Sequence, residues 1–352
     1  MTDVSAVVCT HRMDRFPWLL ECLASLERQS LPPLEVMVVV DGKPEIRDRL
    51  IERGGPTLTL STPAPSGLSV ARNLGLAHAS GSFVAFLDDD AVADGPWLES
   101  LREVLADETV AGVGGISLPR WEGRRPGWMP EELLWTLGCS YRGMPATRSE
   151  VRNVYGGCAC FRKDVFDRFG GFNPNLGRMG AGLAGCEETE LCVRVRNQAP
   201  ELRFVYEPAA RIFHRVPPAR QKVSYVLSRC LGEGRSKATL RAVTVGGRPL
   251  ASEADYLVNI VPSGIASGVS QSLRGDRHGL ARASLLAAAV ACTVASYGVT
   301  RVTGVLRRRR LAQLSEALRA GPLPAVGSGL PPFTPQPSGR AAALSKANRS
   351  RQ

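Results

Sequence analysis

Apolar and polar positions come in short blocks along the first 120 residues. Val4–Cys9 (VSAVVC) is an apolar run closed by Thr10-His11-Arg12, the pattern of a buried parallel strand. Phe16, Leu19, Leu20, Leu23 and Leu26 follow at helical spacing, with Asp14 as an N-cap and Pro17 in the first turn. Pro32-Pro33 closes that helix, and Glu35–Val40 (EVMVVV) reads as a second strand ending at Asp41-Gly42. Strand, helix and strand with polar residues at both carboxyl ends predict a right-handed crossover in a nucleotide-binding type of sheet. The alternation continues with a helix over 44–53 and a strand over 57–61. Within Gly67–Asp90 lie an amphipathic helix, a turn at Ser80-Gly81-Ser82 and a buried strand, Phe83–Leu87. A helix over 97–105 and a strand over 110–116 complete an α/β domain, doubly wound on a mostly parallel sheet.

The pattern breaks over 118–152, where Trp121, Trp128, Trp135 and Tyr141 stand among Gly, Pro and Arg. Cover for the sheet and stacking against a sugar ring are equally open readings of these rings. Residues 153–162 (NVYGGCACFR) read as a strand lining a pocket, where glycines permit close approach, and Gly170-Gly171-Phe172 as a turn. The run 177–185 (GRMGAGLAG) predicts a mobile loop, poised as a lid before the paired carboxylates Glu187-Glu188. Acids at a helix start also simply suit its dipole. Strands are expected over 202–206 and 210–216, and helices over 221–274.

Residues 283–300 hold 18 positions without a charge, followed by Arg301 and Arg307–Arg310. That length is at the lower limit for a membrane span, so a span, an interfacial helix and a buried core helix all remain open. The Pro, Ser, Gly and Ala-rich stretch beyond 322 reads as disordered. The expected division is a catalytic domain over 1–220, a helical extension over 221–278, a membrane-associated helix with a basic flank over 279–310, and a tail over 311–352.

Of the net charge of +11, residues 301–352 contribute ten Arg and Lys against one Glu, a local +9, which leaves +2 for the rest. The excess therefore points to an anionic membrane face and not to nucleic acid. Nine cysteines include no CxxC pair, and the opening residues do not read as a signal peptide. Reduced thiols on the cytoplasmic side are expected. The x1 spacing of Cys158 and Cys160 is poor for zinc.

Three adjacent carboxylates, Asp88-Asp89-Asp90, end the predicted strand over 83–87. Unless they form a solvated acidic turn, they need a cation among them, and a hard divalent ion takes oxygen ligands together with substrate phosphates. No glycine-rich phosphate loop follows the first strand, so any nucleotide must be held by side chains and a metal. His214, in the apolar run ARIFHRV, reads first as a packed core histidine and second as a ligand.

Taken in order and spacing, these residues resemble family 2 of the inverting glycosyltransferases with the GT-A fold, over about residues 4–220. VVCTHR matches the family's first strand and turn, and Asp41 its uracil-side aspartate. Ala71-Arg72-Asn73-Leu74-Gly75 matches its ARNxG helix, and Asp88-Asp89-Asp90 its DxD. Gly156-Gly157 match the acceptor-side glycines, Gly170-Gly171-Phe172 the GGF turn, Glu187-Glu188 the carboxylate pair and His214 the late histidine. Within the family the chain looks most like membrane-associated enzymes of the glucosyl-dolichyl-phosphate glucuronosyltransferase type.

The resemblance implies transfer from a nucleotide-diphosphate sugar, of UDP type, to an acceptor hydroxyl of a lipid-linked or cell-envelope glycan. It places the enzyme at the cytoplasmic membrane face. Asp90 and His214 would hold Mn²⁺ or Mg²⁺. Thr10, Arg12, Asp41, Arg72, Asp88 and Asp89 would hold the nucleotide sugar, Glu187 would stand with the two glycines on the acceptor side, and Glu188 would be the base. The family's usual Asp is here Glu188, one methylene longer. A sugar-phosphate nucleotidyltransferase would need glycines that THRMDR lacks. A non-catalytic sugar-binding relative would be expected to lose the base or the metal aspartates.

Overall fold

The structure is a computed structural model that describes residues 3–178, 185–244 and 250–320, the last of these as backbone alone from residue 305. In chain order it runs β1 (Val4–Thr10), α1 (Phe16–Glu27), β2 (Glu35–Asp41), α2 (Pro44–Glu52), β3 (Leu58–Thr62), α3 (Leu68–His78), β4 (Phe83–Asp88), β5 (Ala91–Ala93) and α4 (Trp97–Val104). There follow β6 (Val110–Trp121), β7 (Ser149–Val151), β8 (Cys158–Arg162), α5 (Lys163–Phe169), α6 (Glu187–Gln198) and β9 (Arg203–Val216). The remainder is helical: α7 (Val223–Val243), α8 (Ala251–Asp255), a π-helical turn at Tyr256–Ile260, α9 (Val261–Leu273) and α10 (Gly279–Ala320). Residues up to 305 form one compact unit. Of a second unit, 306–352, only 306–320 are described, as helix, so the tail read as disordered lies outside the described residues.

The sheet has the order β3-β2-β1-β4-β8-β6-β9-β5, with β7 also paired to β9. Its first four strands are parallel, as the alternation predicts. Their apolar runs are buried on both faces, and period two still separates them. Val8, Val38 and Val40 pack with α1, α2 and α4, whereas Val7, Met37 and Val39 pack with α3, α5 and α6.

Beyond β4 an antiparallel strand, β8, enters between β4 and β6, and β6 then pairs with β9 in parallel. CACF is apolar on both faces, and such a run carries no signal of direction. The strands expected over 202–206 and 210–216 are one strand, β9, whose register against β6 shifts after Glu207. Gly115 makes the shift possible, since a Cβ there would lie 2.1 Å from the Ala210 carbonyl oxygen. Asp14 does not cap α1. Residues 13–15 form a 3-10 turn, and the Asp14 carboxylate accepts from Arg12 at 2.6 Å.

The segment over 118–152 extends β6 to Trp121 and adds a 3-10 run, Glu131–Leu137. Leu133, Leu134 and Leu137 from that run form a third apolar cluster with Val226 and Cys230 of α7, Val261 of α9, and Leu286 and Ala289 of α10. The helical extension is therefore packed onto the sheet domain.

One polar contact joins α3 to the turn after α5. The Asn73 amide donates to the Phe172 carbonyl at 2.8 Å and accepts from the Phe172 N–H at 2.8 Å. Gly171 is needed beside it, because a Cβ would stand 2.5 Å from Asn73 Oδ1. Asn73→Ala strands both backbone groups. Alanine's better helix propensity offsets only a few tenths of a kcal/mol, so a net loss of about 1–3 kcal/mol is expected. The denaturant midpoint of the variant checks this, and an unchanged midpoint would show that water replaces both bonds.

Candidate active site

β1 and β4 pair in parallel with Cys9 opposite Asp88, so Thr10 and the three aspartates emerge at the same carboxyl edge. β5 turns straight back to pair Ala91 with His214 of β9, which brings the imidazole alongside Asp90. His214 Nε2 lies 3.3 Å from Asp90 Oδ1 and 4.0 Å from Asp88 Oδ2. One ligand atom each from Asp88, Asp90 and His214 falls within 4.8 Å of the others.

The His214 Nδ1 sits 3.1 Å from the Arg215 carbonyl, which assigns the proton to Nδ1 and turns the Nε2 lone pair toward the carboxylates. Burial pushes the imidazole pKa down, although Asp90 opposes it, so the ring is a neutral donor. Two carboxylates and a neutral imidazole are a donor set that suits a divalent cation. Glycines clear the space. A Cβ at Gly157 would stand 2.2 Å from Asp88 Oδ2, and one at Gly138, where φ is +84°, would stand 3.0 Å from His214 Nε2.

The three aspartates are not equivalent. Asp89 accepts from the Thr10 hydroxyl at 2.7 Å and from Arg15 at 3.1 Å, and it is not one of the three-ligand group. Burial, with Asp90 beside it, raises its pKa to about 6. Asp90 meets Arg220 at 2.8 Å and Arg15 at 3.2 Å. Burial would raise its pKa as well, but His214, Arg220 and Arg15 hold it below the usual carboxylate range. Asp88, expected on the nucleotide side, also lies close enough to Asp90 and His214 for the three to share a cation.

Arg72 ties this edge to the second pair of carboxylates. Its guanidinium donates to Glu187 at 2.8 Å, lies 3.8 Å from Asp88, and stacks over the Phe86 and Phe172 rings at 5.7 and 5.5 Å. Gly156 leaves it room, because a Cβ there would meet Nη1 at 2.6 Å. Both glutamates open α6 behind Cys186, whose φ of +75° is the one positive value at a non-glycine position among the described residues. One oxygen of each, Glu187 Oε2 and Glu188 Oε2, is buried without a hydrogen-bond partner. Burial and the adjacent Glu187 raise the Glu188 pKa to about 8.

Thr10, Asp41, Arg72, the three aspartates, Gly156, Gly157, Glu187, Glu188 and His214 all line one cavity of about 740 Å³. Asp41 is engaged at both oxygens, accepting from Thr62 Oγ1 at 2.7 Å and from the N–H groups of Ser66 and Gly67 at 2.7 and 2.9 Å. It shapes the loop that enters α3. Arg12 does not line the cavity, since it is drawn outward by exposed Asp14. Arg15, one turn further on, takes the place beside the aspartates. Arg15 and Arg220 were not singled out from the sequence. Nothing local marks Arg220, whose partner Asp90 is 130 residues away.

Trp135 and Tyr141 line the cavity, whereas Trp121 and Trp128 pack into the third apolar cluster without reaching it. Of the loop expected as a lid, residues 179–184 lie outside the described residues.

This edge, with its DxD-like aspartates and paired acids, defines a glycosyltransferase. Residues 5–170 match the model of glycosyl transferase family 2. The chain is 35% identical over 241 residues to the glucosyl-dolichyl phosphate glucuronosyltransferase of Haloferax volcanii, covering 67% of this chain and 77% of the relative. It is 28% identical to the succinoglycan biosynthesis protein ExoM of Rhizobium meliloti, over 68% of this chain and 75% of that one. The fold is similar to that of a mannosyltransferase of Pyrobaculum calidifontis solved with GDP-Man and Mn²⁺. There the TM-score is 0.56 at 18% identity, over 85% of this chain and 87% of that one. The chain belongs to glycosyltransferase family 2 and is an enzyme of that class.

The raised Glu188 pKa has a consequence for stability in metal-free buffer. Between its unfolded value of 4.5 and its folded value of about 8, the native state holds a proton that the unfolded chain has released. The stabilisation is complete below the lower value and is lost as pH rises through the upper one. Glu188→Gln should flatten the decline in stability from about pH 5 to 8, read from urea unfolding at a series of pH values. Parallel curves for the two proteins would contradict the assignment.

Proposed function

We propose that this enzyme is an inverting, divalent-metal-dependent glycosyltransferase. It moves a sugar from a nucleoside-diphosphate sugar, of UDP type, to an acceptor hydroxyl on a lipid-linked or cell-envelope glycan at the cytoplasmic membrane face. The observation that carries the reading is the presence, in one cavity, of the Asp88, Asp90 and His214 ligand group and the unpaired carboxyl oxygen of Glu188. The name of the Haloferax volcanii relative supports an acceptor linked to a polyisoprenyl phosphate.

Asp88, Asp90 and His214 would hold Mn²⁺ or Mg²⁺, which offsets the charge developing on a departing nucleoside diphosphate. Arg15 and Arg220 keep Asp90 ionised for that task. Thr10 and Arg15 orient Asp89 at the nucleotide edge. Arg72 occupies Glu187 and leaves Glu188 as the carboxylate that can take a proton from the acceptor oxygen. A base with a pKa near the working pH is effective in proton transfer. One base suffices for a single in-line displacement, and the configuration at the anomeric carbon inverts.

Two measurements test this reading. Calorimetry should find a nucleoside diphosphate bound much more tightly with Mn²⁺ or Mg²⁺ than with chelator, and Asp90→Asn should abolish the difference. Equal affinity with and without metal would overturn the ligand assignment. Glu188→Gln should lower transfer by about a hundredfold or more, roughly 2.7 kcal/mol of barrier, with donor affinity within a few-fold. Glu187→Gln should be the milder change. A larger loss there, at unchanged folding stability, would move the base to Glu187.

A further inference from the structure

We infer that the part of this cavity walled by the π-helical turn at Tyr256–Ile260 and by α10 is a channel for the apolar chain of the acceptor, and that it opens sideways toward the bilayer. The inference rests on the transfer reading above and names the acceptor class, an amphiphile with a long aliphatic or isoprenoid chain.

The cavity has two chemically opposed walls. One carries Asp41, the three aspartates, Arg72 and His214, and α7 and α8 add Arg229, Glu233, Lys237, Glu253 and Asp255; the other is a smaller apolar wall of Leu257 and Ile260 from the π-helical turn and Val290 and Val294 from α10. Leu257 and Val294 line the cavity and are also 41% and 53% exposed, so they mark its mouth. The outer surface of the same helices continues apolar, with Val258 at 70% and Val302 at 60% exposure. The stretch Gly279–Gly304 has a mean hydropathy of 1.6, enough by length and composition to cross a membrane.

One face of that stretch is held on the protein. Arg282 donates to the Gly127 carbonyl at 2.7 Å and Ser296 to the Leu231 carbonyl at 2.7 Å. Leu285, Leu286 and Ala289 are buried, and a Cβ at Gly234 would stand 2.3 Å from the Thr293 carbonyl oxygen. α10 therefore lies with one side on the enzyme and leaves apolar side chains on the other, the arrangement of a helix in the plane of a membrane surface. The π-helical turn at Tyr256–Ile260 adds to the mouth. Tyr256 turns inward to donate to the Glu132 carbonyl at 2.9 Å, and Leu257 stands at the rim. A hydrated glycan gains nothing from the patch of Leu257, Ile260, Val290 and Val294, whereas an apolar chain leaving the bilayer exchanges one apolar surface for another there while its polar head lies among the charged groups near Glu188.

The test uses the full chain on anionic phospholipid vesicles containing a polyisoprenyl phosphate with a photoreactive group in its chain. Cross-links should map to the peptides carrying Leu257 and Val294, unlabelled polyisoprenyl phosphate should compete them away, and the double variant Val290→Asp, Val294→Asp should lower the yield at least tenfold. The single variant Leu257→Asp, at an already half-open position, guards against a folding defect in the double variant and should lower the yield severalfold. Labelling that is unaffected by the variants, or matched at the same residues by photoreactive phosphatidylcholine, would overturn the channel and leave a membrane contact only. Metal-dependent nucleoside-diphosphate binding, measured on the same variants, is expected unchanged. Its absence in the parent protein would overturn the transfer reading and not the channel, so the two failures are told apart.

Discussion

Three carboxylates placed side by side at the end of a buried strand cannot stay there by themselves. At a separation of a few ångströms and low dielectric their mutual repulsion amounts to several kcal/mol, and burial adds a desolvation cost. The chain meets this with three guanidinium cations and one neutral imidazole, drawn from four separate places. Arg15 comes from the first loop, Arg72 from α3, and His214 and Arg220 from the end of β9 and the loop after it. Much of the topology follows from delivering them. β5 exists to lay Asp90 against His214, and Gly157 and Gly138 withdraw side chains so that Asp88 and the imidazole can approach.

The same economy of charge separates the two glutamates. Arg72 lies between the aspartates and α6, and its ion pair goes to Glu187. Glu188 keeps an oxygen that no protein group satisfies. Burial and the adjacent Glu187 raise the proton affinity of Glu188, and Arg72 opposes them only in part. The positive φ of Cys186 is consistent with a backbone bent to present both acids from the first turn of α6.

The helical extension completes the site. Without α7 to α10 the sheet edge would be an open, polar cleft. With them it becomes a cavity to which α7 and α8 add further charged groups and the π-helical turn and α10 an aliphatic patch. The third apolar cluster holds this patch in place, and Trp121 and Trp128 belong to it, while Trp135 and Tyr141 reach the cavity.

A good deal of this was legible in the chain itself. Period and punctuation located the strands and helices of the first 116 residues apart from β5 and the 3-10 turn at 13–15, and three aspartates after FVAFL marked the edge at which they converge. Glycines at 156 and 157 and the acids at 187 and 188 also carried their own signal, because backbone freedom and adjacent like charges are properties of residue type. What a linear pattern cannot encode is partner and direction. CACF is buried on both faces whichever way it runs, so its antiparallel entry was decided by packing between β4 and β6. Arg12 and Arg15 look alike in THRMDR, and only the 3-10 turn that sets Arg12 on Asp14 gives Arg15 to the aspartates. Asp88 and Asp89 are one residue apart with identical chemistry. Their division between the ligand group and Thr10 arises from strand alternation read against groups up to 126 residues away, an arrangement that exists only once the sheet has formed.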